Sequence, residues 1–100
     1  MIYFTVLIEP KAIEDMQKAI NYYDDKQVGL GLKFERCIHD RLKLLEMNPF
    51  FQIRYKDVHC LPLKKFPFMV HFTIDEIQKL VIVRAVFHTS LNPQKWKKRE

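Results

Sequence analysis

One hundred residues, 48% of them hydrophobic, can furnish one core and one domain spanning 1–100. No run reaches the roughly 18 apolar residues of a membrane span. The first ten residues lack the basic start of a signal peptide, so a cytoplasmic protein is expected. The net charge is +5 and belongs to the second half: residues 51–100 hold ten Lys/Arg against four Asp/Glu, residues 1–50 seven against eight. Such a field favours a polyanionic partner, either nucleic acid or an acidic protein segment. Cys37 and Cys60 show no metal-ligand spacing and are expected as reduced thiols.

The chain opens with Ile2, Phe4, Val6 and Ile8 alternating with Tyr3, Thr5 and Leu7, the period of a strand. Glu9-Pro10 ends it, and proline suits the first turn of the helix that follows. That helix is expected from Pro10 to Asp25, with Ile13, Met16, Ile20 and Tyr23 as its apolar stripe. Lys26 to Gly31 holds both glycines of the chain and reads as a break. A second helix is expected from Leu32 to Met47, with the stripe Phe34, Ile38, Leu42 and Leu45, stopped by Asn48-Pro49. A short loop between two amphipathic helices implies an antiparallel helical hairpin.

Extended pieces follow at Phe51–Tyr55 and His59–Lys64, with an irregularity at Lys56-Asp57-Val58. Phe68, Val70, Phe72 and Ile74 then alternate with Met69, His71 and Thr73, which predicts a strand with one buried face. After a polar break, Leu80 to Phe87 is almost wholly apolar and reads as a central strand. Arg84 lies inside it and His88 ends it. A helical turn through Lys95-Trp96-Lys97 is expected near the end. The predicted class is α+β: an N-terminal strand and an antiparallel helical hairpin packed on one face of a mainly antiparallel sheet. The other face is left for Met69, His71 and Thr73.

No phosphate loop, zinc spacing or nucleophile elbow is present, and no cofactor is expected. The chemistry rests on cations and one imidazole. His88 ends a central strand where solvent begins, a position for a general acid or base. Arg84, four residues earlier, shares its side if the strand is regular. Arg54, Lys56, Lys64 and Lys65 are within reach of the same open sheet face. Such cations stabilise a developing phosphate charge, or simply hold RNA or an acidic peptide.

Several segments in this order resemble the RelE/ParE superfamily of type II toxin–antitoxin (plasmid stabilisation) toxins. They are Ala12-Ile13-Glu14-Asp15 after the first strand, Tyr22-Tyr23, and Gly29-Leu30-Gly31-Leu32-Lys33-Phe34. Leu45-Glu46-Met47-Asn48-Pro49, Leu63-Lys64-Lys65-Phe66-Pro67-Phe68, Val86-Phe87-His88, Asn92-Pro93 and Trp96 complete the set. The resemblance implies a growth-inhibiting toxin bound by a cognate antitoxin. RelE-like members cleave mRNA on the ribosome as mRNA interferases; ParE-like members poison DNA gyrase. His88 matches the strand-end histidine of some ribosome-dependent members. The expected catalytic set is therefore His88, with Arg84 and Arg54 binding phosphate, and mRNA cleavage is the favoured reading. Relatives often carry arginine where this chain has His59-Cys60, and again where it has Leu91. Those departures support the alternatives, a gyrase inhibitor or a binding module that has lost its catalytic residues.

Overall fold

The computed structural model describes residues 3–51 and 53–91, and of residues 53–55 only the backbone. The order is β1 (Thr5–Ile8), α1 (Pro10–Lys26), α2 (Leu30–Met47), β2 (Ile53–Tyr55), β3 (Val58–Pro62), β4 (Phe68–Asp75) and β5 (Leu80–His88). The strands form one sheet in the order β1-β5-β4-β3-β2. β1 runs parallel to β5 and every other pair is antiparallel. This is the expected α+β layout. The expected turn around Trp96 and the residues Asn92-Pro93 lie outside the described residues.

Both helices form where the apolar periodicity places them, but only α2 buries its expected stripe. In α2, Phe34, Ile38, Leu42 and Leu45 are all buried. In α1 the fully covered side chains are Ala12 and Ala19, while Ile13 is 52% exposed. Met16, Ile20 and Tyr23 pack at the edge of the core. The stripe is turned because α1 lies close against its neighbours, and small side chains permit the closest approach of backbones. Burial, and then the adjacent Tyr22 phenol, pushes the Tyr23 hydroxyl above its ordinary value of 10.0.

The second helix starts two residues earlier than expected. Gly29 stands at its N-cap with φ +88°, a left-handed conformation that glycine adopts without a side-chain clash. Gly31 is inside the helix, and its N–H donates to the Asp24 carboxylate at 2.8 Å. An orphan donor of the first turn is thereby satisfied from the preceding helix.

The sheet departs from regular alternation at one place. Along β4 and β5, His71 pairs with Ala85, but Phe72 pairs with Val83. Arg84 is thus the extra residue of a β-bulge, and residues on either side of a bulge change faces. Val81 and Val83 enter the core under the helices, and beyond the bulge Val86 does so. The Val86 N–H is taken up by Asp15 of α1, at 3.0 Å. Asp15→Ala is expected to destabilise the fold by about 1–3 kcal/mol, because it strips that partly buried donor of its acceptor. Asp15→Asn retains an acceptor oxygen and should cost less. Urea titration of the two variants distinguishes the outcomes, and equal stabilities would rule out the capping role.

The second face of β4 is not an open one. Met69, His71 and Thr73 are all buried, contrary to the expectation of a face free of core. β4 lies between β3 and β5, and the side chains facing His71 there are Cys60, Ala85 and Phe87, themselves buried. The Cys60 Sγ lies 3.5 Å from His71 Nδ1, and the Phe87 ring centroid is 5.1 Å from the imidazole. Both cysteines are free thiols, as expected.

Candidate functional site

The three residues expected to form a catalytic set are placed apart. Arg54 is on β2, at one edge of the sheet. His88 and Arg84 are on β5, with β4 and β3 in between. Three strand spacings amount to about 14 Å between the strand axes. The Arg54 side chain is not among the described ones.

Arg84 and His88 are separated by the bulge. Regular alternation would put them on one side; the extra residue puts them on opposite faces. Arg84 lies on the face of Thr73, and its Nε donates to the Thr73 hydroxyl at 3.2 Å. One terminal nitrogen stands 3.3 Å from the Glu9 carboxylate. Glu9 is brought there by the β1–β5 pairing, with its N–H donating to the Val83 carbonyl at 3.0 Å. Both partners are about two-fifths exposed (41% and 42%), so the ion pair contributes at most about 1 kcal/mol to stability. It does orient the guanidinium toward the end of β1.

His88 is exposed at the end of β5, opposite Phe68, on the side where Val70 and Val86 enter the core. Its ring meets the edge of Phe68 at 5.2 Å. The Ser90 N–H donates to Nδ1 at 3.0 Å, and the Ser90 hydroxyl lies 2.7 Å from the same nitrogen. A nitrogen that accepts from an amide carries no proton, so this contact selects the tautomer protonated at Nε2. An imidazole so held can donate a hydrogen bond from Nε2 to an anionic oxygen. Ser90 and Glu9 were not singled out from the sequence. A serine two residues beyond a strand-end histidine, and an acid directly after an edge strand, are the signals that were there to find.

The other histidines are accounted for locally. His39 is exposed on α2. His59 stacks on Phe72 with centroids 5.4 Å apart, and its Nδ1 is bonded to the Phe51 carbonyl. His71 is buried beside Cys60. Among the described residues, no group of three His, Cys, Asp or Glu side chains is placed to hold a metal ion.

A second cationic feature lies on the helical side. Lys64 and Lys65, in the connection from β3 to β4, face Lys33, Arg36 and Arg41 of α2 across a groove of about 700 Å³. Arg41 is anchored by a hydrogen bond from Nε to the Pro62 carbonyl at 3.0 Å.

No protein-family model and no curated protein matches the sequence. Solved structures do match the fold. The chromosomal ParDE toxin–antitoxin system of Pseudomonas aeruginosa superposes with a TM-score of 0.78 at 17% identity, covering 88% of this chain and 98% of that one. The toxin–antitoxin complex RelBE2 of Mycobacterium tuberculosis gives 0.62 at 15% identity, over 88% and 93%. The archaeal RelE–RelB complex of Pyrococcus horikoshii gives 0.57 at 12% identity, over 91% and 100%. The strand, helical hairpin and antiparallel sheet described above are thus found together in solved RelE and ParE structures, over almost their whole length: the chain has the RelE/ParE toxin fold.

Proposed function

We propose that this chain is the toxin of a type II toxin–antitoxin module, held inactive by a cognate antitoxin and acting in the cytoplasm. The observation that carries the reading is the superposition on the ParDE structure, which leaves almost nothing of that chain uncovered. No described helix is long and apolar enough to cross a membrane, which is compatible with that setting.

Of the two targets, the geometry favours a ParE-like mode, poisoning of DNA gyrase without hydrolysis. Phosphoryl transfer needs an acid or base and phosphate-binding cations within a few ångströms of one oxygen. Here Arg84 and His88 are on opposite faces and Arg84 is turned to Glu9. Ribosome-dependent mRNA cleavage is the second reading, supported by the exposed His88 imidazole at the end of β5. In that case His88 is the acid or base only once Ser90 releases Nδ1, and Arg84 and Arg54 bind phosphate only after a rearrangement around the bulge.

Induction of the chain alone in bacteria, with mRNA ends and plasmid supercoiling mapped in the same culture, tests both. The expected result is growth arrest with intact messages and relaxed or broken DNA. His88→Ala should then arrest growth as the parent does. Discrete cuts inside translated codons, lost in His88→Ala, would replace the gyrase reading with mRNA cleavage. Normal growth on strong induction would overturn the toxin reading itself.

A further inference from the structure

Cys60 and His71 stand directly opposite each other on β3 and β4. Met69 precedes His71 by two residues, so it projects from the same face of β4, with Pro62 and Phe87 as its strand partners. It is diagonal to Cys60, a separation that a side chain as long as methionine spans. All three are buried: 4% of Cys60 and 9% of Met69 are exposed, and none of His71. None of them belongs to the core under the helices.

Each of the three carries a soft or borderline donor: a thiolate once deprotonated, an imidazole nitrogen and a thioether. The Cys60 Sγ lies 3.5 Å from Nδ1 of His71 and 4.0 Å from Nε2, beside the ring edge that bears both nitrogens. An ion about 2.3 Å from sulfur and about 2.0 Å from an imidazole nitrogen, at a near-tetrahedral angle, holds those two atoms about 3.5 Å apart. Thiol and imidazole thus have the separation of two ligands of one ion, and rotation of the ring aims a nitrogen at it. A hydrogen bond between them uses the same separation. The thioether on the same face is what distinguishes a ligand set from a polar pair.

The surroundings select the charge of the ion. Val58, Ala85 and Phe87 are buried on this face, and the Phe87 ring centroid is 5.1 Å from the imidazole. An apolar setting penalises net charge. A monovalent ion on one thiolate, with a neutral imidazole and a thioether, is neutral overall; a divalent ion leaves a positive charge buried. Thiolate and thioether ligands also favour Cu(I). Arg84, on the same face, is directed to Thr73 and Glu9, and a neutral centre leaves that arrangement undisturbed.

We propose that Cys60, His71 and Met69 form a three-coordinate site for a soft monovalent cation, Cu(I). On binding, the Cys60 S–H bond breaks, its proton leaves to solvent and a sulfur–copper bond forms; no electron is transferred. The ion ties β3 to β4 beside the irregularity at His71/Phe72, and so holds the pairing that separates Arg84 from His88. The site is independent of the toxin reading.

The test uses the full chain carrying Cys37→Ser, in which Cys60 is the single thiol. Cu(I), supplied without oxygen, is titrated in competition with a chromogenic Cu(I) chelator. One ion per chain is expected, with a thermal midpoint that rises as free Cu(I) increases. Met69→Leu conserves volume and apolar character, so the metal-free variant should melt close to its parent while Cu(I) affinity falls about tenfold or more. Adding Cys60→Ser should abolish binding. The four histidines give a readout that needs no further substitution. In nuclear magnetic resonance the His71 ring signals should shift on binding, and those of His39, His59 and His88 should not. Copper held no more tightly than by the Cys60→Ser chain, unmoved His71 signals in the copper-loaded chain, or equal affinity in Met69→Leu would each overturn the assignment. One Zn(II) per chain that Cu(I) does not displace would overturn it in favour of a divalent ion.

Discussion

Phe34→Ala is expected to destabilise the fold by about 3–5 kcal/mol, a third or more of the stability of a domain this size. Phe34 is fully buried and is the point where four parts of the chain meet. Its ring stacks on Tyr23 of α1 at 5.5 Å and meets the edges of Phe66 and Phe68 at 5.2 Å each. Truncation removes the ring's burial and leaves a cavity that α1, α2 and β4 cannot all close at once. Phe34→Leu keeps part of the volume and should cost less. Urea denaturation with a far-ultraviolet signal measures both. A loss under about 1 kcal/mol for the alanine variant would mean that the cluster relaxes freely and is not the junction described. The same substitution should loosen Phe66, and with it the wall of the α2 groove.

Gly31→Val carries the second largest expected effect, about 2–3 kcal/mol, by overpacking and not by loss of contact. A β-carbon at this position would stand 2.5 Å from the Ile20 carbonyl oxygen and 2.7 Å from the Asp24 carboxylate. The first of these is backbone, so α1 and α2 must separate. The Asp24 bond to the Gly31 N–H would be strained by the same movement. Gly29 gives the contrast. A β-carbon there meets nothing within 4 Å, and the cost of Gly29→Ala is only that of the left-handed φ of +88°, about 1–2 kcal/mol. Adding Asp24→Ala to Gly31→Val should give little rescue, since the Ile20 oxygen remains in the way. Full rescue in thermal melts would show that the carboxylate, and not the helix backbone, sets the spacing.

Much of the architecture was legible because its signals are local. The switch from period two to period 3.6 at Glu9-Pro10 and the Asn48-Pro49 stop mark element ends where the structure has them, while the irregularity expected over Lys56-Asp57-Val58 is a turn at Lys56-Asp57 with Val58 already in β3. The α2 stripe was correct residue by residue. The α1 stripe was turned, because a pattern of large apolar residues does not report which face must carry alanine to let a neighbour come close. The second face of β4 was misread for a related reason. His71 and Thr73 look polar along the strand, but their burial depends on Cys60, Ala85 and Phe87 across it.

The candidate site was legible in its parts and not in its assembly. His88 at a strand end and Arg84 within a strand are visible in the sequence, and the structure has both there. Their relation turns on one residue of pairing register. Nothing in Val81 to Phe87 announces a bulge: apart from Arg84 the run is apolar on both parities, so the apolar residues do not select a register.

The sequence by itself determined the class of the fold, the order of its elements, the helical core of α2 and the cationic second half, all consequences of composition and near-neighbour spacing. The tertiary structure alone decided that Arg84 turns to Glu9 while His88 turns to Phe68 and Ser90, and that Lys64 and Lys65 face α2 across a groove. These depend on which strand pairs with which and in what register. That choice is set by the summed burial of the whole core and not by the residues it displaces.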